Sequence, residues 1–420
     1  MARVLILSLV YAPDVVSTAP IIADLAQGLQ ELGHAVTVLT SIPHYHFPDG
    51  ARDDPALRAS WRRLCTERWE GGVRVVRVYM PPKSKKLWKR AVEFAQFQLL
   101  TMVIAALRGG RQDAILVVSP PISLGLEGYL LTFLLRGSMI YGVLELWPDA
   151  PVRMGALKNQ ALIRLIEGME RFVYDRSAAV TVIARSFAKA LTARGVPPAK
   201  VHYTPIYASP TRFDGRSKRN PLSERLGLAD KLVALYAGNI GFTQALEDLV
   251  DVAQRLRAHD DVRLVIVGDG AAKPRLEAYV ARSGLSNVLL LPYQPEEEVP
   301  DLYAATDVCL VPLVHGFAQD TLPSKVLTIL AAGRPCIASV DLDSETATIV
   351  RDADAGYVVP PRSIDGIAEA LLRLRADPAL RQRLGANGRR YLVDHFSRAA
   401  TLGTYDRVIR QVAAVGAGQR

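Results

Sequence analysis

The sequence predicts an α/β protein built as two doubly wound domains, and three observations carry that prediction. Its 420 residues exceed one ordinary hydrophobic core and suit two domains of about 200 residues each. Short apolar runs alternate with helical patterns along both halves, and their near-continuous apolar character marks strands covered on both faces. The rhythm lapses once, in YASPTRFDGRSKRNP before Leu222, where Pro, Gly, Ser and basic residues replace it. The expected division is therefore a first domain over 1–208, a linker over 209–222 and a second domain from 223.

In order, the first domain should carry strands at Val4–Leu9, Ala35–Thr40, Val73–Val78, Ala114–Val118, Ser138–Leu144, Ala179–Ile183 and Lys200–Thr204. The run from Val4 to Ala12 has the apolar character of a signal-peptide core, but Pro13 and a helical pattern over Ala19–Leu32 follow it. It reads as a first buried strand, with no cleavage expected. The second domain should carry strands at Leu232–Ala237, Arg263–Val267, Val288–Leu291, Val308–Pro312, Cys336–Ser339 and Gly356–Val359. Val267-Gly268-Asp269-Gly270 lies between strand and helix, but Lys273 stands where a dinucleotide fingerprint needs its third glycine. A tight turn is the favoured reading, and a nicotinamide cofactor is not expected.

Half the residues are hydrophobic, so the chain is globular throughout. Cys65, Cys309 and Cys336 are scattered and odd in number, which argues for reduced thiols in a cytosolic protein, without disulfides or metal-ligand spacing. The net charge of +9 implies an anionic partner: nucleic acid, a phosphorylated substrate or a membrane surface. Aromatic residues make up only 7 % and show no basic interleaving, which argues against a nucleic-acid binder.

The stretch 311–350 concentrates the chemistry. A strand ends in a loop holding His315 and Gly316, and a helix is expected from about Leu322, capped by Asp320 or Thr321, with Pro323 in its first turn and Gly333 ending it. The next strand makes this a parallel crossover, so the loop from His315 to Ser324 lies where such sheets bind ligands. Lys325 falls in the helix's first turn, where the macrodipole disfavours a cation by up to about 1 kcal/mol. A bound phosphate would reverse that sign, since free amides, dipole and ammonium would all face it. An exposed lysine reaching into solvent accounts for the residue equally well. Asp341-Leu342-Asp343 has the form of a divalent-cation pair, but Asp343 or Ser344 as cap of the following helix is the preferred reading, and no metal is expected.

The order of PSK (Pro323, Ser324, Lys325), helix, Gly-Arg-Pro, apolar strand and acidic loop resembles the nucleotide-sugar half of glycosyltransferase family 4. The resemblance extends from LVYAPD at the start through LELWPDAP (Leu144–Pro151) and YAGNIG (Tyr236–Gly241) to GYVVPP (Gly356–Pro361). It is nearest to bacterial enzymes that build O-antigen, colanic acid and capsules on a polyprenyl lipid. It implies the GT-B fold, with two Rossmann-like domains facing across a cleft. The second domain would then span 223–394, and the last helix (395–420) would cross back to pack on the first. It also implies a metal-independent transferase of hexosyltransferase type, with a nucleotide sugar, uridine-based, as substrate and no cofactor.

Mapped residue by residue, the family's first donor-site Glu falls on Asp320, implying contact with the sugar, and its second on Thr328. Thr328 cannot make the bidentate ribose contact, and Glu345 is the substitute the resemblance suggests. The family's diphosphate-binding Arg and Lys fall on the neutral Asn239 and Gln244, which leaves Lys325 as the best-placed cation, expected to be exposed. Gly238 and Gly241 would let backbone approach the phosphates. Base contacts are implied near Tyr293 and Gln294.

In the first domain Asp14, His44, His46, Glu145 and Asp149 lie after strands and border the acceptor site. An inverting reaction would need one of them as base. Taken singly, each reads first as a loop-capping acid or a solvated His, with Glu145 the strongest exception because it adjoins the WPD turn. A retaining reaction, typical of the family, would rely on donor-side electrostatics instead. Lys83, Lys85, Lys86, Lys89 and Arg90, with Trp88 among them, precede AVEFAQFQLLTMVIAAL. That stretch is too short and too polar to span a bilayer, and most of Phe97–Leu107 is read as core. The five cations are read as a patch for an anionic membrane surface, giving a peripheral protein on the cytoplasmic face that meets a lipid-linked glycan acceptor. A sugar-nucleotide 2-epimerase on the same fold would leave that patch unexplained.

Overall fold

The computed structural model describes the chain except residues 15–17, 45–63, 82–86, 150–151, 153–156, 317–323 and 419–420. It forms two compact units, Met1–Pro205 with Thr401–Arg420, and Ile206–Ala400.

The first unit is built on an eight-stranded sheet. Its strands are β1 (Arg3–Leu7), β2 (Ala35–Ser41), β3 (Cys65–Glu70), β4 (Val73–Val78), β5 (Ala114–Ser119), β6 (Ser138–Val143), β7 (Ala179–Val182) and β8 (Val201–Tyr203). Their order is β3-β4-β2-β1-β5-β6-β7-β8. Every pairing is parallel except β3 with β4. The expected strands are all present. β3 was not foreseen, because CTERWE is charged and Trp69 points to solvent, as suits an edge strand. Gly71 and Gly72, both at positive φ, make its hairpin to β4. Arg77 of β4 is 1 % exposed; it donates to both oxygens of Glu70 and to the Ala12 carbonyl, fastening the loop after β1.

The helix Arg398–Gly418 completes this unit. Its Leu402, Tyr405, Val408, Ile409 and Val412 join the core formed by β1, β2 and the helix Thr18–Glu31. Asp406 pairs with buried His34 at 2.7 Å.

The helix Leu87–Arg108 is apolar on two sides. Phe97, Thr101, Ile104 and Ala105 are buried, as expected, but Val92, Leu99, Val103 and Leu107 lie exposed at helical spacing. Beside it the helix Ser123–Leu135 exposes Leu130, Phe133 and Leu134. Among the described residues no helix is long and apolar enough to cross a membrane.

The second unit has a six-stranded parallel sheet in the order β11-β10-β9-β12-β13-β14. The strands are β9 (Leu232–Ala237), β10 (Val262–Val267), β11 (Val288–Leu291), β12 (Val308–Pro312), β13 (Cys336–Ser339) and β14 (Gly356–Val359). The stretch expected as a linker, 209–222, belongs to this unit. Phe213 packs edge-on against Tyr303, Asp214 pairs with Arg389, and Asn220 forms a capping box on the helix Pro221–Arg225. Its basic residues are committed to ion pairs within the unit, Lys218 to Asp307 and Arg216 to Asp301.

Candidate active site

In each sheet the strand order reverses at one place, and ligands of open α/β sheets bind beyond the strand ends there. In the second unit that place lies between β9 and β12.

The loop after β9 is drawn close to the loop after β10. Gly238 N donates to the Val267 carbonyl at 2.8 Å, Ile240 N to the Asp269 carbonyl at 2.7 Å, and Ala272 N to the Ile240 carbonyl at 2.9 Å. Such proximity requires Gly268: a Cβ there would lie 1.9 Å from the Gly238 oxygen, and its φ of +155° is one that other residues rarely adopt. Val267–Gly270 is thus a tight turn, as its sequence indicated, but one shaped to hold the neighbouring loop. Asn239 and Gln244 serve that loop; the Asn239 carbonyl accepts from Tyr236, and Gln244 Oε1 accepts from Gly241 N at 3.0 Å.

On the β12 side, Val314 N donates to the Thr243 carbonyl at 3.0 Å. Asp341 accepts from Gly316 N at 2.8 Å and pairs with His315 at 2.5 Å, so this buried carboxylate anchors the β12 loop. Ser344 caps the next helix by accepting from Ala347 N at 3.2 Å. Asp320 and Pro323 lie outside the described residues, and the Ser324 side chain is not described. The helix is described from Ser324 to Ala331.

Lys325 corrects the expectation of an exposed cation. Its side chain turns inward: Nζ donates to the Tyr236 hydroxyl and sits 4.1 Å from the centre of that ring. A Cβ on Gly238 would stand 2.4 Å from Lys325 Cε, so the glycine makes room for the lysine as well as for backbone approach. Burial pushes the amine down from its usual 10.5 to about 7, and among the described residues no carboxylate offsets it. An amine with no counter-charge among the described residues therefore lies beside the glycine loop, in the first turn of a helix, at the reversal point of the sheet.

The other donor candidates are dispersed. Glu345 is buried and opens the helix after β13. Gln294 is engaged locally, donating to the Pro292 carbonyl at 2.9 Å, beside Tyr293, which reaches Asp269.

The first unit's reversal point lies between β1 and β5, and the loop after β1 carries Asp14. Asp14 is 3 % exposed and accepts from His44 N at 3.4 Å, while His44 Nδ1 lies 2.8 Å from Ser41 Oγ. Burial holds the Glu145 carboxyl above the usual range, partly offset by Trp147. Asp149 is bound to Arg194, which also holds Glu170 at 2.8 Å and the Trp147 carbonyl at 3.2 Å. That network fastens the WPD turn to the helix Gln160–Arg176 and commits the Asp149 carboxylate to Arg194.

Sequence reasoning missed Tyr236. The available signal was a phenol two residues before Gly238 in an otherwise apolar strand, since a buried hydroxyl needs a polar partner.

Two family models tile the chain. One for a glycosyl transferase 4-like domain matches residues 18–206, and one for glycosyl transferases group 1 matches 219–391. The chain belongs to the group 1 glycosyltransferases. This glycosyltransferase is 28 % identical over 384 residues to the putative colanic acid biosynthesis glycosyl transferase of Escherichia coli K12, covering 88 % of this chain and 92 % of that one. Its structure is similar to sucrose-phosphate synthase from Thermosynechococcus elongatus, with a TM-score of 0.76 at 20 % identity, covering 99 % of this chain and 100 % of that one. It is also similar to Anabaena HepE in complex with UDP-glucose, at a TM-score of 0.71 and 15 % identity, covering 99 % and 100 % of the two chains. These likenesses show a GT-B fold of two Rossmann-like domains.

Proposed function

We propose that this glycosyltransferase moves a sugar from a uridine diphosphate donor to a polyprenyl-diphosphate-linked glycan in cell-surface polysaccharide biosynthesis, working on the cytoplasmic face of the membrane. The observation that carries the donor half is the inward Lys325 beside the Gly238–Gly241 loop. A diphosphate would supply a counter-charge to the amine and accept from amides at the helix start. The Escherichia coli relative, named for colanic acid biosynthesis, supports the polysaccharide half. Asp320 is assigned to the sugar and Glu345 to the ribose. Asp14 and Glu145 are the acceptor-side candidates, because both are carboxylates held in loops after strands of the first unit.

Donor binding is tested by thermal shift with UDP, UDP-glucose, GDP and GDP-mannose. A ligand at a hundred times its dissociation constant adds about 2.7 kcal/mol and raises the melting temperature. Stabilisation by the uridine compounds is expected, and it should survive a chelator, since no metal is assigned to the site. A shift with guanosine compounds alone would replace the base assignment. Abolition by chelator, restored by Mg²⁺, would bring Asp341 and Asp343 back as ligands.

The membrane reading rests on the five cations from Lys83 to Arg90 and on the exposed apolar residues that follow them in sequence. Of the patch, Lys83, Lys85 and Lys86 lie outside the described residues, the side chains of Trp88 and Arg90 are not described, and Lys89 is exposed. Leu107 is 75 % and Phe133 67 % exposed, and the apolar row continues through Val103, Leu99 and Val92. An exposed apolar row next to a basic cluster suits a leaflet of anionic lipid, to which each cation contributes on the order of 1 kcal/mol. The enzyme is expected to sediment with anionic liposomes at low salt. Changing Lys85, Lys86, Lys89 and Arg90 to Ser should abolish sedimentation and leave donor binding intact. Equal sedimentation with neutral liposomes would refute the electrostatic part.

A further inference from the structure

We propose that Tyr236 is the positioning residue of the donor site, holding the Lys325 ammonium and the Gly238–Gly241 loop in one arrangement for a nucleotide diphosphate. The inference rests on the donor reading above.

Tyr236 is 1 % exposed and lies one residue before the end of β9. A phenol hydroxyl has one proton to give and two lone pairs. The proton goes to the Asn239 carbonyl at 2.6 Å, three residues on, and bends the loop back over its own strand. A lone pair receives Lys325 Nζ from the helix after β12, and the ring's π face adds a cation–π contact. One side chain thus joins the two segments that flank the reversal point of the sheet.

Burial keeps this phenol far above its ordinary value, so it stays a neutral hydroxyl able to play both roles. Among the described residues the titratable groups around it are Tyr293 beyond β11, which acts on Tyr236, Asp269 beyond β10, which acts on Tyr293, and Tyr303 of the helix Val299–Ala305, which Tyr236 influences in turn, while Lys325 itself responds to burial alone. The hydroxyl is consequently the neutral acceptor that keeps Lys325 chargeable inside the domain. An arriving diphosphate takes over that acceptor role, and the lysine gains its full charge as the donor binds.

Tyr236→Phe retains the ring and deletes only the hydroxyl. Calorimetric titration of the full chain with UDP-glucose and with GDP-mannose across pH 5.5 to 8.5 separates the roles, because neither the diphosphate nor the base of either ligand titrates in that range. Wild-type affinity should be level below about 7 and fall by up to about tenfold per unit above it, as the free enzyme's lysine loses its proton. In the variant the break should move down by at least about half a unit. Its affinity should be roughly threefold or more weaker at pH 7.5 and return towards wild type at pH 5.5. A purely structural tyrosine would instead weaken binding equally at every pH, and that result overturns the proposal. The nucleotide-free enzyme gives a second readout: acetic anhydride at pH 6.5 should acylate Lys325 faster in the variant, as followed by peptide mass mapping. Unchanged acylation overturns the coupling of the two residues. A wild type that binds neither nucleotide sugar overturns the donor reading, and with it the proposal.

Discussion

Lys325→Met is expected to weaken UDP-glucose binding by roughly 30- to 140-fold, a loss of about 2–3 kcal/mol, while raising the melting temperature of the nucleotide-free enzyme. The two effects have one origin. In the free enzyme the amine is held beside Tyr236 with no carboxylate to offset it among the described residues, and burial lowers its pKa from 10.5 to about 7. A group protonated more readily when unfolded than when folded destabilises the native state. That cost is complete below about pH 7 and is relieved as pH rises from about 7 towards 10.5, because the unfolded chain then binds the extra proton. Methionine keeps an unbranched chain, one atom shorter, and removes the charge. Tyr236 still donates to Asn239, so no donor is orphaned. The stability gain should therefore be largest at pH 6 and shrink by pH 9. A variant that melts lower at every pH, or that binds UDP-glucose like wild type, would show that Lys325 is structural.

Gly268→Ala should be among the most damaging single changes in the second unit, costing about 2–4 kcal/mol from backbone strain and disrupted hydrogen bonds. The new methyl would meet the Gly238 oxygen at 1.9 Å, and backbone has little room to yield. Separating the loops would break the bond from Gly238 N to Val267 and withdraw the glycine loop from Lys325. Loss of donor affinity should therefore accompany loss of stability. Gly284→Ala is the control. That residue has φ +62° with nothing within 4 Å of a new Cβ, so only the left-handed conformation is penalised, by about 1 kcal/mol. Denaturant unfolding of both variants beside UDP-glucose titrations gives the comparison. Equal stability losses would mean that the close approach of the two loops carries no energy.

The parallel strands were legible because both faces are covered, so each reads as an uninterrupted apolar run bounded by turn residues. β3 escaped because an antiparallel edge strand needs no such run; its Glu67 and Glu70 instead pair with Arg74 and Arg77 across the hairpin. The stretch 209–222 looked like a linker because its polar residues were read singly. Several have partners far along the chain, Lys218 with Asp307, Arg216 with Asp301 and Asp214 with Arg389.

By itself the sequence determined the α/β class, the family, the glycine turns after β9 and β10, and the lysine in the first turn of the helix after β12. The family came from the order of its motifs, which resembles that of known glycosyltransferases; the rest follow from local pattern: apolar period, the torsional freedom of glycine, and the position of a charge along a helix. Tertiary structure alone decided which way Lys325 faces. Its inward turn depends on a tyrosine 89 residues away, on a missing Cβ at Gly238, and on a strand order that sets β9 beside β12. Local pattern carries no information about such a neighbour, because the energy of a buried cation is set by what surrounds it in space.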